Sequence, residues 1–302
     1  MTGPSCQALP ATCGPNGTDN CCNPGSAIVG GMYYRSYDRA GDTLSGDQSY
    51  PATVSAFWLD KYEVTVGRFR AFVNAGKGTQ VSPPASGAGA HEKIASSGWN
   101  TSWNASLPAD QAALVAAVKC QLNYPWTDSP GANEARPMSC LTWHVAMAFC
   151  IWDGGYLPTE AEWNYAAAGG DQQRAYPWSN PAGALTLTPS YASYKEGTSC
   201  VGDGAAGCTV TDLVRVGSKP MGDGRWGQSD LAGNVWEWNL DGHVTPYAVP
   251  CSDCAQLGSA SYRVMRGGTY GYDAAKLRTG DRSSGPAAMR DDGVGVRCAR
   301  AP

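Results

Sequence analysis

The side chains best suited to chemistry gather in Gly222–Trp238, GDGRWGQSDLAGNVWEW. This stretch holds three carboxylates (Asp223, Asp230, Glu237), one cation (Arg225) and four glycines. With its last residues extended, Trp236 and Trp238 share one face, and Val235 and Glu237 share the other. A carboxylate between two large rings is costly to bury unless a cation or several donors meet it. Two partners answer that need: an arginine, or a hard metal ion taking carboxylate oxygens plus backbone carbonyls. The glycines let carbonyls turn inward toward such an ion. A packed turn leading into an ordinary strand is the plainer reading of the same residues.

The remaining reactive side chains are cysteines and histidines. Twelve cysteines are many for 302 residues, and cytosolic chains rarely carry so many without metal-binding spacings. The C-x-x-C pair Cys251 and Cys254 has no second pair to complete a zinc site, and it reads as a loop disulfide. Disulfides in a secreted, periplasmic or cell-surface protein are therefore expected. The opening MTGPSCQALP shows no signal-peptide pattern, so this location is inferred from cysteine usage. His91 beside Glu92 reads as a solvated pair and His144 as a structural histidine on a helix. His243, just after Asp241, is the least easily set aside. No nucleophilic-serine motif, phosphate loop or metalloprotease helix is present. A net charge of −4 without a basic cluster gives no footprint for nucleic acid. No run of about 18 apolar residues is available to span a membrane.

The elements that must position these groups are short. Charged residues make up 16%, and Gly (38) and Pro (20) are abundant, which favours loops over long helices. Residues 1–26 read as a cysteine-rich lead-in with little core of its own, and 27–302 as the domain proper. Strands are expected over Ala27–Tyr34, Ala52–Leu59 and Arg263–Tyr270, with VGVRCA closing the chain. Thr65 is placed to cap a helix over Val66–Asn74, Thr142 one over Trp143–Asp153, and Pro108–Lys119 can form a third. Thr159 and Glu162 fit a capping box for a helix that Gly169-Gly170 ends. Residues 76–107 lack periodicity and read as a long surface excursion.

In order, Gly30-Gly31, LDKYEVTVGRFRAFV (Leu59–Val73), TWHVAMAFCIW (Thr142–Trp152), LPTEAEWNYAAAGG (Leu157–Gly170), YPW, SDLAGNVWEW (Ser229–Trp238), RVMRGG (Arg263–Gly268) and VGVRCA (Val294–Ala299) resemble the formylglycine-generating enzyme, or sulfatase-modifying-factor, family. The resemblance covers about residues 27–300. It implies one α+β domain of low regular secondary structure, C-type-lectin-like in style and disulfide-rich, with a Cys150–Cys298 bridge. It also implies structural calcium, held by side chains of Asp230 and Glu237 and by carbonyls of Gly233 and Val235. A second family calcium site maps near Ser193 and Tyr194, where serine replaces asparagine and weakens the ligand set.

Enzymes of the family make formylglycine with copper(I) on two thiolates after the RGG turn, and soft thiolates suit that ion. Here the two positions are Tyr272 and Leu277, so neither copper nor the aldehyde-forming reaction is expected. Relatives that bind iron do so through histidines on an extra helical domain, and iron is not expected either. Thr269, Tyr270, Tyr272 and Asp273 are the candidate cleft residues. The expectation is a calcium-stabilised binding or surface-interaction domain for a glycan, peptide or protein. The alternative is an atypical metal-dependent oxidoreductase acting on a peptide or small metabolite.

Overall fold

The computed structural model describes residues 3–41, 46–258 and 261–302. Side-chain caps start each of its α-helices, because the first turn of a helix leaves N–H groups without partners. Thr65 caps α1 (Val66–Asn74), Asp110 caps α2 (Gln111–Ala117) and Thr142 caps α3 (Trp143–Trp152). Thr159 caps α4 (Glu160–Ala167) through a complete capping box with Glu162. Helix α2 begins later than the sequence predicts, since Asp110, not Pro108, supplies the cap to the Ala113 N–H. Helices α3 and α4 are buried almost all round, as expected of elements that form the middle of a domain.

The strands are short. β1 (Gly31–Tyr34) pairs antiparallel with β2 (Pro51–Val54), and β3 (Trp58–Leu59) pairs with the chain's last strand. β4 (Lys195–Glu196) and β5 (Ser199–Cys200) form a hairpin. The main sheet is built on β6 (Trp236–Gly242), β7 (Tyr262–Arg266), β8 (Ser283–Pro286) and β9 (Val294–Gly295), in the order β8-β7-β6-β9. β6 runs antiparallel to β7 and parallel to β9, pairing Glu237 with Arg266 on one side and Gly295 on the other. VGVRCA, expected as one strand, is split between β9 and β10 (Ala299–Arg300), because it leaves one sheet to join β3. Between them the Val64 and Asp60 N–H groups donate to the Val296 and Cys298 carbonyls.

The largest apolar cluster joins α1 and α3 to the main sheet through Phe69, Phe72, Trp143, Phe149, Trp238 and Val296. Six disulfides, Cys6–Cys22, Cys13–Cys21, Cys120–Cys140, Cys150–Cys298, Cys200–Cys208 and Cys251–Cys254, take up all twelve cysteines. The lead-in packs onto the domain. Cys13 and Cys21 share a cluster with Tyr62 and Val216, and Ser5 joins the buried network of Arg68, Asp60, Asp153 and Arg300.

Segment 76–107, expected as a surface excursion, is anchored at Trp99, Ser97, Leu107 and His91, all buried. Its aperiodic sequence hides these anchors because each one fills a separate gap. His91 is a matching correction. Instead of a solvated pair with Glu92, its Nε2 lies 3.3 Å from Glu162 and its ring meets Tyr156 edge-on. Burial pushes the imidazole pKa down, but the Glu162 carboxylate more than offsets this and raises it.

Candidate functional site

Of the two partners that Glu237 could take, the fold supplies the arginine. Glu237 is fully buried on β6, and the Arg297 guanidinium grips it with Nε to Oε2 and Nη2 to Oε1, both at 2.7 Å. The Trp163 indole N–H adds a third donor at 2.7 Å. Arg297 reaches there because β9 runs beside β6, and its remaining donors meet the carbonyls of Asp60, Lys61 and Ser229. Fork-on-carboxylate pairing is the geometry in which a buried ion pair best recovers its desolvation cost.

Two further carboxylates face the same guanidinium. Glu63, fully buried just before α1, accepts from the Asn234 side chain at 2.6 Å and from the Val235 N–H at 3.2 Å. Asp230 accepts from the Gly217 N–H at 2.6 Å. Burial, then the charges of Asp230 and Glu237, push Glu63 well above the usual carboxylate range. Asp230 is pushed up to about 6, first by burial, with Asp223 and Glu237 adding to it. One cation thus faces three buried acids, and the cluster holds more negative charge than it neutralises. The backbone here is tightly wound, with Asp230, Gly233 and Asn234 all at positive φ (58°, 84° and 61°). Only strong tertiary constraints hold non-glycine residues there.

The donors fit a hard divalent cation. They are oxygens, the local charge is in negative surplus, and the second Asp230 oxygen together with the Gly233 and Val235 carbonyls could complete a set. Among the described residues no three His, Cys, Asp or Glu side chains are grouped to hold a metal, so an ion here leans on main-chain carbonyls. The second predicted site does not fit. The Ser193 hydroxyl donates to the Asp212 carbonyl at 2.6 Å, and the Tyr194 carbonyl accepts from Val201. The Asp212 carboxylate serves as a cap, accepting the N–H groups of Gly202, Asp203 and Thr209.

The residues after the RGG turn do not share one open cleft. Thr269 and Tyr270 are buried. Thr269 donates to the Asn234 carbonyl, and the Tyr270 hydroxyl donates to Asp292 while accepting from Asn123. Asp273 caps a 3₁₀ turn over Ala274–Leu277. Tyr272 is half exposed and meets Trp236 edge-on at 6.0 Å. Leu277 is fully buried among Tyr176, Ala192, Tyr194 and Ala232, so an aliphatic core contact stands at the second thiolate position. His144 lies against Trp143 and Trp103, and burial, then Arg263, lowers its pKa to about 4.

Sequence reading missed Glu63, Asn234 and Gly217 as members of the acidic cluster. Glu63 stood inside a quoted motif, but nothing local distinguished it. Its role appears only when α1's approach meets the GNVWEW turn.

The family model described as the sulfatase-modifying factor enzyme 1-like domain matches residues 21–302. The chain is 29% identical to the formylglycine-generating enzyme of Streptomyces coelicolor, over 91% of this chain and 86% of that protein. It is 28% identical to the inactive C-alpha-formylglycine-generating enzyme 2 of Mus musculus, over 90% of this chain and 84% of that one. Its fold is similar to that of PvdO from Pseudomonas aeruginosa, with a TM-score of 0.61 and 20% identity over 91% and 93% of the two chains. The GNVWEW turn, the capped LPTEAEW helix and the Cys150–Cys298 bridge thus sit in a chain that belongs to the sulfatase-modifying factor enzyme 1-like domain family.

Proposed function

We propose that this protein is a calcium-stabilised binding domain that has kept the family's frame without its formylglycine chemistry. One observation carries the reading. Tyr272 and Leu277 occupy the two thiolate positions, Leu277 is buried in the core, and the six disulfides leave no cysteine to substitute. Copper(I) needs soft thiolate donors close together, and this chain offers none.

The same cysteine usage supports an oxidising compartment, hence a secreted, periplasmic or cell-surface location. No helix among the described residues is long and apolar enough to cross a membrane. Calcium bound by Asp230 and the Gly233 and Val235 carbonyls, with Glu237 shared between it and Arg297, would neutralise the surplus charge of the acidic cluster and brace the turn. An open groove of about 390 Å³ lined by Val29, Met32, Tyr165, Arg225 and Trp226 offers a binding face. There Trp226 stacks on Tyr165 at 5.5 Å, a surface suited to a glycan or peptide.

The test is to incubate the protein with copper(I) and a thiol-bearing peptide and follow the peptide by mass spectrometry. No aldehyde is expected, and metal analysis should find calcium alone. Aldehyde formation, or stoichiometric copper or iron retained through a calcium-matched buffer, would refute the reading and favour an oxidoreductase.

A further inference from the structure

A cavity of about 210 Å³ lies away from the acidic cluster, lined by Arg35, Asp241, Tyr247, Cys254, Ala255 and Arg282 among others. It shares no lining residue with positions 269–277 and does not rest on the reading above. Its electrostatics are unusual for a buried space. Glu160 is held by two guanidinium groups, Arg266 at 2.6 Å and Arg282 at 2.7 Å, and by the Tyr247 hydroxyl at 2.7 Å. That group alone carries a surplus positive charge. Asp241, which borders it, has both oxygens committed to main-chain N–H groups, those of Glu160 and Gln256.

Arg35 is the unexplained member. It is 6% exposed yet forms no ion pair among the described residues. Its hydrogen bonds go to the Ala248 carbonyl at 2.7 Å and to the Cys254 sulfur at 3.7 Å, a weak acceptor. Its Nε is buried without a partner. A guanidinium has five N–H donors, and an orphaned buried donor costs stability unless something else satisfies it. Arg35 and Arg282 also both stack on the Tyr247 ring, at 4.4 and 4.1 Å from its centre, so two like charges are held near one cavity. An anion in the cavity would pair a guanidinium that lacks a carboxylate partner and relieve the repulsion.

We infer that this cavity is a binding site for a small organic monocarboxylate, with Arg35 as its anchor. A carboxylate matches the planar guanidinium edge in two parallel hydrogen bonds. Ala255, Ala248, Val244 and Pro250 supply apolar wall for the organic body, the usual composition of a small-molecule pocket. A dianion such as phosphate is less suited, because Arg266 and Arg282 are already shared with Glu160 and Arg35 alone lacks a carboxylate partner.

The test uses the full chain, titrated by calorimetry at fixed ionic strength with propionate and benzoate, and with propionamide and inorganic phosphate for comparison. Saturable binding of at least one carboxylate is expected, with propionamide and phosphate weaker by about tenfold or more. Arg35→Gln should weaken the carboxylate by about tenfold or more while the far-ultraviolet spectrum is unchanged. Should Arg35→Gln not fold, Ala255→Leu, which fills the cavity, must abolish binding instead. No saturable carboxylate binding, propionamide binding as tightly, or an affinity within about twofold of wild type in the variant that folds overturns the assignment.

Discussion

Replacing Arg297 with methionine removes the cation that faces Glu237, Glu63 and Asp230 while keeping an apolar stem of similar reach. The structure sets the size of the loss. Two bonds to Glu237 vanish, leaving Trp163 as its side-chain donor, and the carbonyls of Asp60 and Ser229 lose theirs, while Lys61 keeps the Ser229 N–H. Breaking a buried ion pair by deleting one partner costs about 3–5 kcal/mol. The orphaned carbonyls add about 1 kcal/mol or more. A loss of about 4–6 kcal/mol is therefore expected, roughly 6–10 °C in Tm for a chain of this size. Urea titration followed by tryptophan fluorescence measures it.

The double variant Glu237→Gln/Arg297→Met should be more stable than Arg297→Met alone, because it removes the stranded charge along with its partner. A single-variant loss under about 1 kcal/mol, or a double variant no better than the single, would refute this electrostatic account. Calcium completes the experiment. Ligand binding to the native state raises stability, so added calcium should raise the wild-type Tm and should not raise that of Glu237→Gln. An unchanged calcium response in that variant removes Glu237 from the proposed site.

Other expectations follow from single features. Converting Cys150 and Cys298 to serine opens a bridge across 148 residues, and the urea midpoint should fall by an amount equivalent to about 4–5 kcal/mol on the chain-entropy account. Thr159→Ala removes one half of the capping box and should cost about 1 kcal/mol by the same assay, with Thr159→Ser nearly neutral. Burial, then the Glu160 charge, raises Asp241 to about 7, so the native chain holds this proton more tightly than the unfolded one. Stability from Asp241 is complete near pH 4 and is lost as pH rises toward 7. Glu160 acts in the opposite sense. Burial pushes it up, but Arg266 and Arg282 overcome this and hold it at about 2, so its contribution is present above about pH 4 and is lost as pH falls toward 2. Urea midpoints across this range should decline less from pH 5 to 7 in Asp241→Asn than in the wild type, and parallel profiles would refute the assignment.

What the sequence determined by itself is local. A threonine and a glutamate three residues apart write the start of α4, since both capping bonds close within one turn. Thr65 and Thr142 do the same for α1 and α3. The GNVWEW stretch also announced a buried carboxylate in need of a cation, because alternation along a strand follows from backbone geometry alone.

Which cation answers that need was a tertiary decision. Arg297 lies 60 residues beyond Glu237 and meets it only because β9 pairs in parallel with β6. Glu63, which accepts from the Val235 N–H, lies 172 residues before it. His91 shows the same limit, since its burial depends on what α4 brings beside it. Capping and alternation act within a few residues and leave a pattern in the sequence. Charge partners and cavity walls are chosen by sheet register and chain crossing, and these exist only once the whole chain has closed.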